Sequence, residues 1–334
     1  MVAISAVRSH NASLKSHLPN PVAVFVGGTS GIGLFTAREL VRNTASPHVY
    51  LVGRNATEAN KIIQELQTIN SASQVSFIQK DVSLLKNVDE ACKEIKSKEK
   101  EVNILFMTCG YLTLKGRDET AEGLDRKFAL HYYARMRFIQ QLTPLLDAGA
   151  NSLSRVVAVF DPQPGMRLGG LDYSDLSLKQ NYTLKNVMVH ACAMKNLAIS
   201  HLAKEHPKTT YIHAYPSGVD TGVTREIFGR FEGVAKSLIK LMSWWIMVPQ
   251  AESGERHLYA ATAPVYAPSE MAESTSVVGS DGNKGSGSYL LNWNGDVLAD
   301  TKQAKKLREE GGVDKVWAHT EEVMKAIEER GRYD

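Results

Sequence analysis

Four glycines crowd into seven residues, Gly27-Gly28-Thr29-Ser30-Gly31-Ile32-Gly33, directly between an apolar β-rich run, residues 22–26, and a helical pattern, residues 32–42. This strand–turn–helix restricts the fold more than any other feature of the chain. Gly27 permits the tight turn, Gly31 lets backbone come close to a pyrophosphate, and Gly33 lets the helix pack close to the strand. Ser30 and Ile32 lie within the same turn, so their backbone belongs to the same anion-binding set. The helix start adds unsatisfied N–H groups and the positive end of its dipole. Glycine-rich loops also occur without ligands. The position between strand and helix is what favours the nucleotide-binding reading here.

Five further β-rich runs follow, at residues 48–52, 75–79, 102–108, 155–160 and 211–215. Helix-length patterns at 32–42, 57–69, 88–98, 120–146 and 182–204 lie between them. Runs that are apolar throughout imply strands buried on both faces, hence a parallel sheet covered by helices. Right-handed crossovers then give an α/β, doubly wound, Rossmann-type fold with helices on both faces. At 334 residues, one large domain over 21–334 is the simplest organisation. A loose N-terminal arm, 1–20, is expected ahead of it. A Gly/Ser-rich stretch, 274–288, an edge strand, 288–292, and a charged helix, 302–329, form a C-terminal extension over 274–334.

Composition narrows the function classes. With 43% apolar and 22% charged residues the chain reads as a soluble globular protein. A dispersed net charge of +3 does not point to nucleic acid. Cys92, Cys109 and Cys192 form no CxxC pair and read as reduced thiols, and no metal is expected. Residues 1–20 lack a continuous apolar core of the kind a secretory signal carries, and the apolar run 238–248 is too short to span a bilayer. The expectation is a cytoplasmic protein without a membrane span. Nothing in the sequence requires or forbids association with further copies.

The spacing GxxxGxG resembles that of the short-chain dehydrogenase/reductase superfamily, and the likeness runs to about residue 262. It includes Asp81-Val82 after the third strand, whose carboxylate the resemblance assigns to the adenine edge. It includes Cys109-Gly110 after the fourth strand, where the family carries Asn-Asn-Ala-Gly. It also includes Pro216-Ser217-Gly218-Val219-Asp220-Thr221 after the sixth strand, similar to the family's Pro-Gly-x-Val-x-Thr turn beside the nicotinamide. The resemblance thereby makes Asp81, Val82, Gly110, Pro216, Val219 and Thr221 cofactor-binding residues. Together with Trp317-Ala318-His319-Thr320, the sequence is similar to reductases of fungal secondary metabolism. The second strand ends in Gly53-Arg54-Asn55. An acid at this point would bind the ribose hydroxyl of NAD. Arg54, with Asn55 beside it, suits a 2′-phosphate instead, which indicates NADP(H).

The resemblance also implies a Ser, a Tyr-x-x-x-Lys and an Asn at the reaction centre, and this chain departs at all four places. Phe160 or Asp161 stands at the serine position. The tyrosine and lysine positions fall near Val187 and Ala191, within a few residues of register, and His131 stands at that of the asparagine. No Tyr-x-x-x-Lys occurs between residues 172 and 204. Tyr182 with Lys185 is the nearest substitute, one helical turn apart if the helix begins there. Tyr182, Lys185 and Asp161 are therefore the candidate catalytic groups. Each also has a plain structural role open to it: Asp161 can start a turn before Pro162, Tyr182 can pack at a helix end, and Lys185 can be a solvated charge. Met188, Met194, Trp244 and Trp245 read as core or pocket-wall residues. A substrate-covering segment is expected over 223–250, and its apolar character suits a small apolar substrate. The function expected is an NADP(H)-dependent oxidoreductase acting on a carbonyl or alcohol of such a molecule, in secondary metabolite biosynthesis. A cyclase, isomerase or dehydratase on the same fold, or a catalytically silent NADP(H)-binding protein, are the alternatives.

Overall fold

The computed structural model describes residues 1–111, 113–221 and 247–334. Seven strands, β1 (Val22–Val26), β2 (His48–Gly53), β3 (Gln74–Gln79), β4 (Ile104–Met107), β5 (Arg155–Val159), β6 (Thr210–Ala214) and β7 (Ser288–Leu291), form one sheet. Their order is β3-β2-β1-β4-β5-β6-β7, and every neighbouring pair is parallel. This is the doubly wound α/β fold that the uniformly apolar runs imply. In β1 all five residues are buried: Val22, Val24 and Val26 face one core, Ala23 and Phe25 the other.

Helices α2 (Gly31–Asn43) and α3 (Ala56–Ile69) supply one layer; α4 (Leu85–Lys98), α6 (Ala134–Gly149) and α8 (Leu184–Glu205) supply the other. The strand order reverses between β1 and β4, so the crevice for a ligand opens at the carboxyl ends of these strands. A later helix, α9 (Gln250–Thr262), packs on α2. Buried Arg155, at the start of β5, donates to the Ala260 and Ala263 carbonyls and so satisfies the end of α9.

Several boundaries differ from the sequence reading, each for a local reason. Residues 1–20 are not a loose arm: α1 (Ile4–His17) buries Val7, Asn11 and Leu14, and Asn11 donates to the Glu255 carbonyl on α9. The helix expected over 120–146 is divided into α5 (Arg126–Phe128), a π-helical segment (Ala129–Tyr133) and α6. Asp125 starts it late by accepting from the Phe128 N–H. The helix expected over 182–204 begins at Leu184, because the Thr183 side chain caps it through the Asn186 N–H. The C-terminal helix breaks at Gly311, whose φ is +72°, into α10 (Lys302–Glu309) and α11 (Gly312–Arg330). A short α7 (Gln163–Arg167) follows β5. The covering segment expected over 223–250, with Trp244 and Trp245, lies outside the described residues apart from 247–250. Among the described residues, no helix is long and apolar enough to cross a membrane.

Candidate active site

The carboxyl edge of β1 turns through Gly27, at φ +90°, and Gly31, at φ +54°, conformations that a side chain disfavours. A Cβ on Gly33 would stand 2.6 Å from the Gly27 carbonyl, so the helix start and the strand end approach as closely as backbone allows. Ser30 precedes α2 with an extended backbone, and its hydroxyl makes no bond to the helix. The first turn of α2 contains no acidic side chain either. Its amide groups are therefore left for an external acceptor. Ile32 is only partly buried in the same turn.

The turn after β6 meets this one. A Cβ on Gly31 would fall 2.9 Å from the Thr221 Cβ. Ser217 holds φ +61°, a left-handed value, at the place where the resembled turn carries glycine. Pro216 and Val219 are partly buried in this turn. The Met247–Val248 segment and Gln250 anchor it: the Val248 N–H donates to the Gly218 carbonyl, and the Gln250 side chain to the Asp220 carbonyl at 2.8 Å.

At the end of β2, Arg54 is exposed, and its guanidinium makes no hydrogen bond or ion pair among the described residues. Thr29 packs against Gly53 next to it. Asn55 is used locally, accepting from the Glu58 N–H to cap α3. After β3, Asp81 Oδ1 accepts from the Ser83 N–H at 3.0 Å, with Arg126 3.7 Å from its other oxygen, and Val82 is buried. The uncapped α2 start and the glycine cradle fit the pyrophosphate of a dinucleotide, which Gly27, Ser30, Gly31, Ile32 and Gly33 would hold. Arg54 stands one strand away, exposed and without a partner among the described residues.

At the ends of β4 and β5 the chemistry changes. Gly110 follows Cys109, and the ring of His131, from the π-helical segment, lies against it. Phe160 stacks on His131, ring centres 4.4 Å apart. Arg135 gathers the surrounding backbone, donating to the carbonyls of Leu130, Met107, Val159 and Cys109 at 2.8 to 3.3 Å. Beneath lies Lys195, fully buried, with Nζ 4.8 Å from the Phe160 ring centre and 3.4 Å from His213 Nε2. His213 Nδ1 is 2.6 Å from the Asn196 side-chain oxygen. Burial, then Arg135, pushes the Lys195 amine well below the ordinary lysine range. Lys195 sits in an otherwise apolar stretch, and its signal in the sequence is a charge on the buried face, four residues after Ala191.

Val187 and Ala191 are buried and apolar. Tyr182 precedes α8. Its hydroxyl is 3.4 Å from the Gly116 carbonyl, and its ring centre 5.4 Å from Lys127 Nζ. Burial, then Asp125, raises its pKa. Lys185 is exposed, with no hydrogen bond or ion pair among the described residues. Asp161 starts a turn by accepting from the Gln163 N–H at 2.9 Å, and burial raises its carboxyl. Met194 is buried, whereas Met188 is 37% exposed.

Comparison with known proteins agrees with the architecture. Residues 21–160 match the family described as short chain dehydrogenase. The chain is 42% identical to oxidoreductase AN1596 of Emericella nidulans, over 97% of this chain and 98% of that protein. It is 31% identical to short-chain dehydrogenase/reductase SAT2 of Stachybotrys chartarum, over 90% of each. A solved structure, the NADPH-bound carbonyl reductase from chicken fatty liver, shares the fold: TM-score 0.57 at 18% identity, covering 84% of this chain and all of that one.

Proposed function

The chain belongs to the short-chain dehydrogenase/reductase family and is an oxidoreductase of that type, and from this premise we propose that it uses NADP(H) to interconvert a carbonyl and an alcohol on a small apolar molecule of fungal secondary metabolism. The observation that carries the cofactor choice is Arg54: an exposed guanidinium, without a partner among the described residues, at the end of β2. A carboxylate there would repel a 2′-phosphate, whereas a guanidinium meets it with charge-assisted hydrogen bonds. A bound nicotinamide supplies or takes up the hydride.

What the chain must add is a proton source and a way to orient the substrate. Tyr182 is the proposed donor: its raised pKa keeps the phenol protonated. Lys185 lies near it in sequence. Asp161, at the end of β5, is proposed to accept or return a proton. As a carboxylate, Asp161 would take the alcohol proton as hydride leaves for the nicotinamide, and as the carboxylic acid it would return that proton in the reverse direction.

The test is to follow nicotinamide absorbance while purified protein with NADPH is given extracts containing apolar ketones. Tyr182→Phe is expected to abolish turnover and leave NADPH affinity intact, and Asp161→Asn to alter the pH profile. Unchanged turnover in both variants would remove them from the mechanism. One observation favours a second reading, a non-redox enzyme or a silent cofactor binder: Val187 and Ala191, near which the resemblance puts the Tyr and Lys, are apolar and buried. That reading expects nucleotide binding without any change in absorbance.

A further inference from the structure

Beyond the end of β5 the Phe160 N–H still donates to the Ala214 carbonyl on β6, and the backbone then turns through Asp161 and Pro162 into α7. Pro162 has no N–H with which to fix this turn. Asn196 Nδ2, on α8, donates to its carbonyl at 3.0 Å. A carbonyl only accepts, so this contact sets the Asn196 amide and turns its oxygen to His213 Nδ1, 2.6 Å away. That oxygen also only accepts, so His213 Nδ1 carries the hydrogen and Nε2 keeps a lone pair. Lys195 Nζ, 3.4 Å from Nε2, donates to it. Each bond therefore has one direction: Lys195 to His213, His213 to Asn196, Asn196 to the Pro162 carbonyl. Burial, then Lys195 and Arg135, holds His213 well below the ordinary histidine range, so the ring stays neutral and this order is kept.

The series starts in the core and ends at a side chain that solvent reaches. Lys195 and His213 are fully buried, Asn196 is partly buried, and Asp161, next to Pro162, is partly exposed. Backbone contact holds the same turn further on: a Cβ on Gly165 of α7 would stand 2.3 Å from the Ala193 nitrogen of α8. Between these two fixed points Asp161 Oδ1 rests on the Gln163 N–H at 2.9 Å. Apolar side chains at 195, 196 and 213 would fill this layer without desolvating polar groups. What the polar ones add is a directed hold on Pro162.

We infer that Lys195, His213 and Asn196 are positioning residues for the Asp161 carboxyl, because their series of hydrogen bonds fixes the turn that presents it at the end of β5. The inference rests on the reading of Asp161 as the group that takes up or returns the proton. Burial raises this carboxyl, while the Gln163 N–H and then Arg167 on α7 lower it. The Cys192 thiol on α8 is the other titratable group beside it among the described residues.

The experiment titrates the Asp161 carboxyl by 13C NMR in aspartate-labelled protein, the resonance being identified by its loss in Asp161→Asn. In the parent it should titrate above the ordinary value of about 4. Asn196→Leu keeps the volume and removes both of its side-chain bonds. It should move the titration by about one pH unit, the size of one hydrogen bond, and slow NADPH turnover on the apolar extract about tenfold with NADPH affinity unchanged. Asn196→Ala carries the same test if the leucine variant does not fold. Ser200→Ala, one turn along α8 and outside the series although its hydroxyl donates to the Asn196 carbonyl, should leave the titration in place. An Asp161 titration unmoved in a folded Asn196 variant overturns the inference, as does an equal shift in Ser200→Ala, which would mean general loosening of α8. If the titration moves in the Asn196 variants alone but Asp161→Asn keeps full turnover, the positioning stands and the proton-carrying reading of Asp161 falls.

Discussion

Arg54 makes a sharp residue-scale prediction because its guanidinium has no hydrogen bond or ion pair among the described residues. Arg54→Ala should weaken NADPH binding by about 1.5–3 kcal/mol, the worth of a hydrogen bond to a charged group. NADH binding and folding stability should be unchanged. Paired titrations of the parent and variant check this, and equal losses for both cofactors would contradict it. The place of Arg54 just past β2 was legible because it depends only on an apolar strand and the turn that ends it. The cluster at the ends of β4 and β5 was less so. Lys195, His213 and Asn196 meet only in the folded chain, from α8 and β6, and His131 reaches Gly110 through the π-helical segment. A π-helical turn leaves no periodicity for the sequence to reveal.

At the scale of elements, that same segment is held by Arg135. Its guanidinium is the shared donor for carbonyls from the π-helical segment and from the ends of β4 and β5. Arg135→Met keeps the length of the side chain and removes those donors. The expected loss is about 3 kcal/mol or more of unfolding free energy, since buried carbonyls left unmatched cost about 1–3 kcal/mol each. Urea unfolding measures it, and a loss under about 1 kcal/mol would show that the carbonyls find other partners. The strands and their order of appearance could be read from apolar runs alone. Helix ends could not, because they depend on particular caps: Asp125 delays one helix, Thr183 another, and Gly311 divides a third. The start of α8 matters most for the site, since Tyr182 lies ahead of the helix rather than one turn before Lys185 within it.

Over the whole molecule, packing of the helices against the sheet and against one another buries the rings of several histidines, and this sets a pH dependence. Burial lowers His257 and His319 to about 4, and His131 to about 3. Free imidazole titrates near 6.5, so as pH falls below about 6.5 the unfolded chain takes up protons that the folded chain refuses. Their contribution to stability is complete above that pH and is lost progressively down to about pH 3–4. His257 alone, held at Ser253 and against Phe106, accounts for about 3 kcal/mol at about 1.4 kcal/mol per pH unit. Glu122 and Asp161, raised by burial, act in the opposite sense. The urea midpoint should therefore be lower at pH 5 than at pH 7.5, and equal midpoints would contradict the assignment. The crevice at the carboxyl ends of β1 and β2 is proposed to take NADP(H) in preference to NAD(H). The most direct measurement is a fluorescence titration of the intact chain with NADPH and with NADH. Binding of NADPH at least about tenfold tighter, one charged hydrogen bond's worth, is the predicted result. Equal affinity for the two, or binding of neither, would contradict the account.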